Sequence, residues 1–193
     1  GVEFKGSKKP TTEKKIMSLI IETKILKELS KIASKNENYN ANIKMIRLDK
    51  DPVSGKARLW ATDGICMVSY GLGVEAPEIG SCYALDHIKK LTKNDVVALE
   101  NGFLKDDRGQ LPLSEDQTAP DIDAVIPGLI PTENTCESPK IFGVNPALVF
   151  RVMGVLSKIS GDQLCKIQLG LGAMDAIRLD CGPCTAVIMP MEA

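Results

Sequence analysis

Apolar positions along this chain switch between two spacings, and the switches mark out its elements. Residues 16–21 form a short, mostly apolar run of strand length. From Lys24 to about Lys35 the spacing lengthens. Ile25, Leu26, Leu29, Ile32 and Ala33 fall on one face of a helix, and Lys24, Lys27, Lys31 and Lys35 fall on the opposite one. Thr23 is placed to cap that helix. Residues 43–48 then alternate with period two, and Asp51-Pro52-Val53-Ser54-Gly55 reads as a turn. Residues 58–62 and 65–70 are strands joined at Asp63-Gly64, a tight hairpin signal.

The same order returns later. Residues 140–144 read as a strand, Asn145 as a helix cap and Pro146 as the first helical residue, with the helix reaching about Ile159 and stopping at Gly161. Strands follow at 164–171, 174–179 and 184–191, the last two joined by Asp180-Cys181-Gly182-Pro183. The final strand, Thr-Ala-Val-Ile-Met-Pro-Met over 185–191, is so apolar that neighbouring strands must bury it. Two strand-helix-three-strand units imply an internal duplication and an α+β fold, with helices on one face of antiparallel sheets. The expected organisation is a flexible basic arm at 1–15, a first unit at 16–73, an irregular middle at 74–139 and a second unit at 140–193. Within the middle, 81–85 and 95–100 read as short strands on either side of a helical turn at 86–91.

Charge changes this picture only locally. The chain has 193 residues, with 24 Lys and Arg against 25 Asp and Glu, which excludes a wholly basic nucleic-acid binder and leaves room for a basic face. The lysine row of the first helix, broken in sign only by Glu28, reads either as a solvated outer face or as a surface for a polyanion. The second helix adds Arg151 and Lys158, seven positions apart. Aromatic residues make up 4%, too few for a platform that stacks single-stranded bases. No apolar run approaches the roughly 20 residues needed to span a bilayer, and the first residues lack a signal-peptide core, so a cytoplasmic location is expected. In that compartment the six cysteines are expected as reduced thiols.

Candidate chemistry is sparse. Cys181-Gly182-Pro183-Cys184 spells the tetrapeptide of thioredoxin-like oxidoreductases, whose first cysteine must sit at a helix amino terminus. Here a strand follows, which makes Gly-Pro a turn and leaves thiol oxidoreduction as the weaker reading. One cysteine pair, with no second pair at metal-ligand spacing and His87 far away, makes a weak zinc site, and no metal is expected. Asp63, Asp121 and Asp123 sit in turn motifs that favour aspartate for local hydrogen bonds. There is no phosphate-cradling glycine loop and no nucleophile elbow, so neither enzymatic activity nor a cofactor is expected.

The two units, Ala61-Thr62-Asp63-Gly64, Pro120-Asp121 with Val125-Ile126-Pro127, and the ending Val187-Ile188-Met189-Pro190-Met191 together resemble the bacterial sliding clamp, the beta subunit of DNA polymerase III. The resemblance covers about 16–70 and 120–191 and is weak between. It implies helices lining a wall that faces duplex DNA through phosphate contacts, here Lys24, Lys27, Lys31, Lys35, Arg151 and Lys158. It also implies an apolar pocket that captures a clamp-binding peptide from a DNA polymerase or another partner, here Met67, Pro120, Val125, Val187 and Met189. Members of that family are longer, with three domains per chain closing a ring as a dimer. A chain of this size would have to hexamerise to encircle DNA. The alternative is a monomeric adaptor or inhibitor that keeps the pocket and lacks the ring. Ile65, Glu192 and Ala193 depart from the family pattern at the pocket rim.

Overall fold

β1 (Leu19–Glu22) runs straight into α1 (Thr23–Leu29), and three antiparallel strands follow: β2 (Met45–Lys50), β3 (Lys56–Thr62) and β4 (Cys66–Glu75). Then come β5 (Ser81–Ala84), α2 (Leu85–Lys90), β6 (Val96–Glu100), β7 (Phe103–Asp106) and β8 (Gly109–Leu111). α3 (Pro146–Ile159), β9 (Lys166–Gln168), β10 (Ile177–Cys181) and β11 (Cys184–Ile188) complete the order. This is a computed structural model, and it describes residues 18–33, 43–76, 80–90, 95–100, 103–112, 114, 119–128, 143–169 and 176–190. The architecture is α+β, as the two repeated units require.

The strands form two antiparallel sheets. The larger runs β5-β2-β3-β4-β11-β10-β9, and the smaller runs β1-β6-β7-β8. The larger sheet contains the join between the two units, because β4 pairs with β11, with Met67 opposite Val187 and Cys66 opposite Ile188. Backbone bonds continue the join at both ends: Gly71 N–H donates to Pro183 O at 2.8 Å, and Met189 N–H donates to Ile65 O at 3.0 Å. Alternation then sorts the side chains. Leu59, Ala61, Cys66, Val68, Ala186 and Ile188 enter a core with Val152, Val155 and Leu156 of α3 and Leu26 and Leu29 of α1. Trp60, Met67 and Val187 belong to a separate apolar cluster with Ile122 and Ala176.

Several sequence expectations shift. Thr23 does not cap α1. Glu22 holds the cap position without a side-chain bond, and Thr23 is the first helical residue, its N–H donating to Asp95 O at 2.9 Å. Tertiary pairing of β1 with β6 sets this boundary, so the local cap signal is overridden. α1 is shorter than its apolar period suggests, and tighter turns such as Lys31 N–H to Glu28 O carry the chain on to Ala33. Lys35 lies outside the described residues, as does most of the strand expected at 140–144, of which Gly143 makes a single bridge.

The middle of the chain is less irregular than its sequence suggests. β5 extends the large sheet beside β2, β6 pairs with β1, and β7 and β8 form a further hairpin. The expectation of reduced thiols is also corrected: Cys165 and Cys181 form a disulfide, while Cys66, Cys82 and Cys184 are free and buried. The fold brings Cys165, just before β9, against the end of its neighbour β10, a proximity that spacing could not show.

α3 matches its local signals closely. The Asn145 side chain accepts from Ala147 N–H at 2.9 Å, Pro146 opens the helix, and Gly161 turns the chain with φ of 73°. At the β10–β11 hairpin Gly182 has φ of 52°, and a β-carbon there would stand 2.7 Å from Asp162 Oδ2 and 3.0 Å from Ser160 O. Both the backbone conformation and the close approach of the loop after α3 require glycine. Gly182→Ala is expected to lower stability by about 1–3 kcal/mol, read as a drop in the urea midpoint at unchanged slope.

Candidate functional site

Three of the five expected pocket residues meet on one face of the large sheet. Met67 and Val187 are cross-strand partners, each 2% exposed, and Met189 packs against the same cluster. The Pro-Asp segment also reaches this face, but through a residue that the sequence reading did not single out. Ile122 is 5% exposed within the cluster and Ile126 packs beside it, while Val125 points outward at 46% exposed and Pro120 is half-buried. Trp60 and Ala176 complete the cluster. A signal for Trp60 was present, since β3 is apolar at consecutive positions 59, 60 and 61, which implies cover on both faces.

A charge network borders this cluster. Arg58 is buried, and its guanidinium donates to both carboxylate oxygens of Asp123, at 2.7 and 2.8 Å, and through Nε to Asp49 at 2.7 Å. Trp60 Nε1 donates to the other oxygen of Asp49 at 2.7 Å, and the Arg47 guanidinium carbon lies 5.8 Å from the Trp60 ring centroid. Burial opposes the charge on Arg58, but hydrogen bonds and attraction from Asp123 and Asp49 outweigh it and raise its pKa. Asp123 is therefore more than a turn residue. It ties the segment 119–128 to β3, while Arg178 donates to Pro127 O at 2.8 Å and Gln168 to Gly128 O at 2.7 Å.

The lysine row is exposed as expected at Lys24, Lys27 and Lys31. Glu28 is tucked beneath it rather than interrupting it. Its carboxylate accepts from Lys31 Nζ at 2.6 Å and lies 3.8 Å from Lys158 Nζ on α3, so the basic residues of both helices share one surface. Arg151 departs from this arrangement. It pairs with Asp63 in the β3–β4 hairpin, and its guanidinium also lies 3.1 Å from Cys66 Sγ. The other Asp63 oxygen accepts from Ile65 N–H and Cys66 N–H at 2.9 and 2.8 Å, which is the local turn chemistry expected of that aspartate.

Thiol chemistry has little support in this geometry. Cys181 is joined to Cys165 rather than to Cys184, and burial pushes the Cys184 thiol up to about 12. Cys66 is likewise pushed up to about 12, by burial and then by the Asp63 charge. Among the described residues, no cluster of histidine, cysteine and acidic side chains could hold a metal ion, and no helix is long and apolar enough to cross a membrane.

Antiparallel sheets continuous across a duplicated unit, with paired helices on one side, define the sliding-clamp class of fold. Solved structures place the likeness among bacterial DNA polymerase III beta clamps. The subunit from Borrelia burgdorferi, solved with a natural product, superposes with a TM-score of 0.67 at 13% identity, covering 96% of this chain and 67% of that one. The Thermotoga maritima subunit gives 0.65 at 13% identity, covering 97% and 68%, and the Caulobacter crescentus clamp gives 0.66 at 13%, covering 96% and 68%. This chain therefore has the clamp fold and spans about two-thirds of these chains. No protein-family profile and no curated protein sequence matches it.

The hairpin ion pair has a consequence at low pH. Burial alone would raise the Asp63 pKa, but amide donation from Cys66 and Ile65 together with Arg151 holds it below the ordinary 3.8. A depressed folded-state pKa contributes stability that is present above the unfolded value and is lost as pH falls through the folded one. Asp63→Asn is expected to cost about 2 kcal/mol at pH 7 and to flatten part of the acid limb below about pH 4. Urea midpoints measured from pH 2 to 7 check both effects.

Proposed function

We propose that this chain is a clamp-like replication protein without enzymatic activity, which rests loosely on duplex DNA and docks partner peptides beside β11. The observation that carries the DNA half is the Glu28 carboxylate between Lys31 and Lys158, which gathers lysines from α1 and α3 onto one exposed surface. Lysine ammonium groups on such a surface meet phosphates as mobile point charges, which suits retention without sequence reading. The peptide half is supported by Met67, Val187 and Met189 converging with Trp60 on one sheet face. Two methionines give that face the adaptability that varied apolar anchors require. A cytoplasmic location belongs to the same reading, as does assembly of several copies where the chain encircles DNA.

Arg151 favours keeping a second reading, because its guanidinium is committed to Asp63 rather than turned toward a phosphate. With α3 contributing less positive charge, a monomeric adaptor that binds clamp-binding peptides and ignores DNA is the rival. Light scattering over a range of protein concentrations, with and without duplex DNA, separates the two. A ring-sized assembly on DNA is expected for the clamp. A monomer throughout, still binding clamp-binding peptides, is the outcome for the adaptor.

Salt dependence tests the surface itself. Lys24→Gln combined with Lys27→Gln is expected to lower the slope of log affinity against log salt by about 1.8, at roughly 0.9 per phosphate. Arg151→Gln is expected to leave that slope alone while lowering stability. An unchanged slope in the double variant would remove α1 from the DNA surface.

A further inference from the structure

The apolar patch that suits a partner peptide is already covered, and the cover is part of this chain. Asp121, Ile122 and Asp123 present one aliphatic side chain between two acidic ones. Ile122 lies against Trp60, Met67 and Val187, and Asp123 forms a two-pronged pair with Arg58. That is how a short linear segment is usually recognised, with an apolar anchor in a patch and a carboxylate on a fixed arginine. The segment has the bonding of a docked ligand too. Its turn closes on itself, with Ala124 N–H donating to Asp121 Oδ1 at 3.1 Å and Val125 N–H to Ile122 O at 3.2 Å. Among the described residues it takes part in no strand pairing, and the side chains of Arg58, Arg178 and Gln168 tie it to the body. The Asp123 side chain remains 40% exposed, so a competing carboxylate can approach the pair from solvent.

We propose that residues 119–128 are a built-in, displaceable occupant of this patch, and that a partner segment displaces them with an aliphatic side chain in place of Ile122 and a carboxylate on Arg58. This rests on the peptide-docking reading above and narrows the partner to an acidic, aliphatic segment. Arg58 and Asp49 stay in place when the segment leaves. Their mutual pair, together with the bond from Trp60 to Asp49, keeps the guanidinium oriented for the incoming carboxylate. The internal segment competes at the high effective concentration of a tethered ligand, so it weakens every partner by the fraction of time it is seated. Partners that match only the apolar anchor are thereby rejected, because they forfeit the Arg58 pair.

A labelled synthetic decapeptide copying residues 119–128, added to the full chain, tests this directly. Polarisation reads binding, and Trp60, the chain's single tryptophan, reports the patch by its emission. The Asp123→Ala chain, whose own turn has lost its tether, is expected to bind the peptide at least about tenfold more tightly than the wild type. Ile122→Ala is expected to do the same. A peptide with Asn in place of the aspartate after its isoleucine is expected to lose at least about tenfold on either variant. Equal binding by all chains, or binding by none, overturns the proposal.

Hydrogen exchange on the wild type supplies a measurement independent of any variant. The amides of Ala124 and Val125 are expected to exchange at least about a hundredfold faster than those of Leu59 and Val68. Exchange of all four only with global unfolding overturns the proposal as well. If the decapeptide binds the variants but clamp-binding peptides bind no form of the chain, the docking reading fails and the displaceable segment stands.

Discussion

The pairing of β4 with β11 is the constraint on which the rest of this structure depends. It joins strands separated by more than half the chain, and it makes one seven-stranded sheet out of two units that could not each bury both faces of their strands. An unpaired β11 would present Cys184, Ala186, Val187 and Ile188 on an open edge. Once paired, alternation sends Ala186 and Ile188 toward α3, and Val187 toward Met67 and Trp60. The main core and the smaller apolar patch therefore have one cause. The hairpin that starts β4 also carries Asp63, so Arg151 of α3 is tied to the strand that forms the join.

The patch needs a cover because both faces of the central strands are apolar. A helix covers one face, and no helix was found over the other among the described residues. A single turn carrying Ile122 covers it instead. Holding that turn requires Arg58 to be buried, which is costly unless its donors are met. Asp49 from β2 and Asp123 from the turn meet them, and the bond from Trp60 fixes Asp49. Removal of either carboxylate would leave part of a buried guanidinium without a partner.

What the sequence revealed depended on how far apart the interacting groups lie. The ends of α3 were legible because Asn145, Pro146 and Gly161 act within one turn of themselves. The Asp63-Gly64 hairpin was legible for the same reason. Thr23 misled because the start of α1 is set by β1 pairing with β6, some 75 residues away in sequence. β7 and β8 were missed because three- and four-residue strands carry too little alternation to stand out. The contact between Cys165 and Cys181 was invisible, since only the pairing of β9 with β10 brings them together. Of the pocket residues that the resemblance implies, Met67, Val187 and Met189 lie together on the join. The resemblance passed over Ile122 and Arg58, whose roles appear only when the turn is seated.

The distribution of basic residues follows from the chemistry of the two side chains. Arg58 and Arg151 face inward onto fixed carboxylates, where a planar fork can satisfy several acceptors at once. The lysines of α1 and α3 are exposed, and two of them, Lys31 and Lys158, share the tucked Glu28. Arg58 and Arg151 thus hold the frame together, while Lys24, Lys27, Lys31 and Lys158 stay exposed. A resemblance that treats all basic residues on the helices as one set cannot make that division. Burial and pairing make it, by placing Arg151 with the architecture and Lys24, Lys27, Lys31 and Lys158 with the candidate surface.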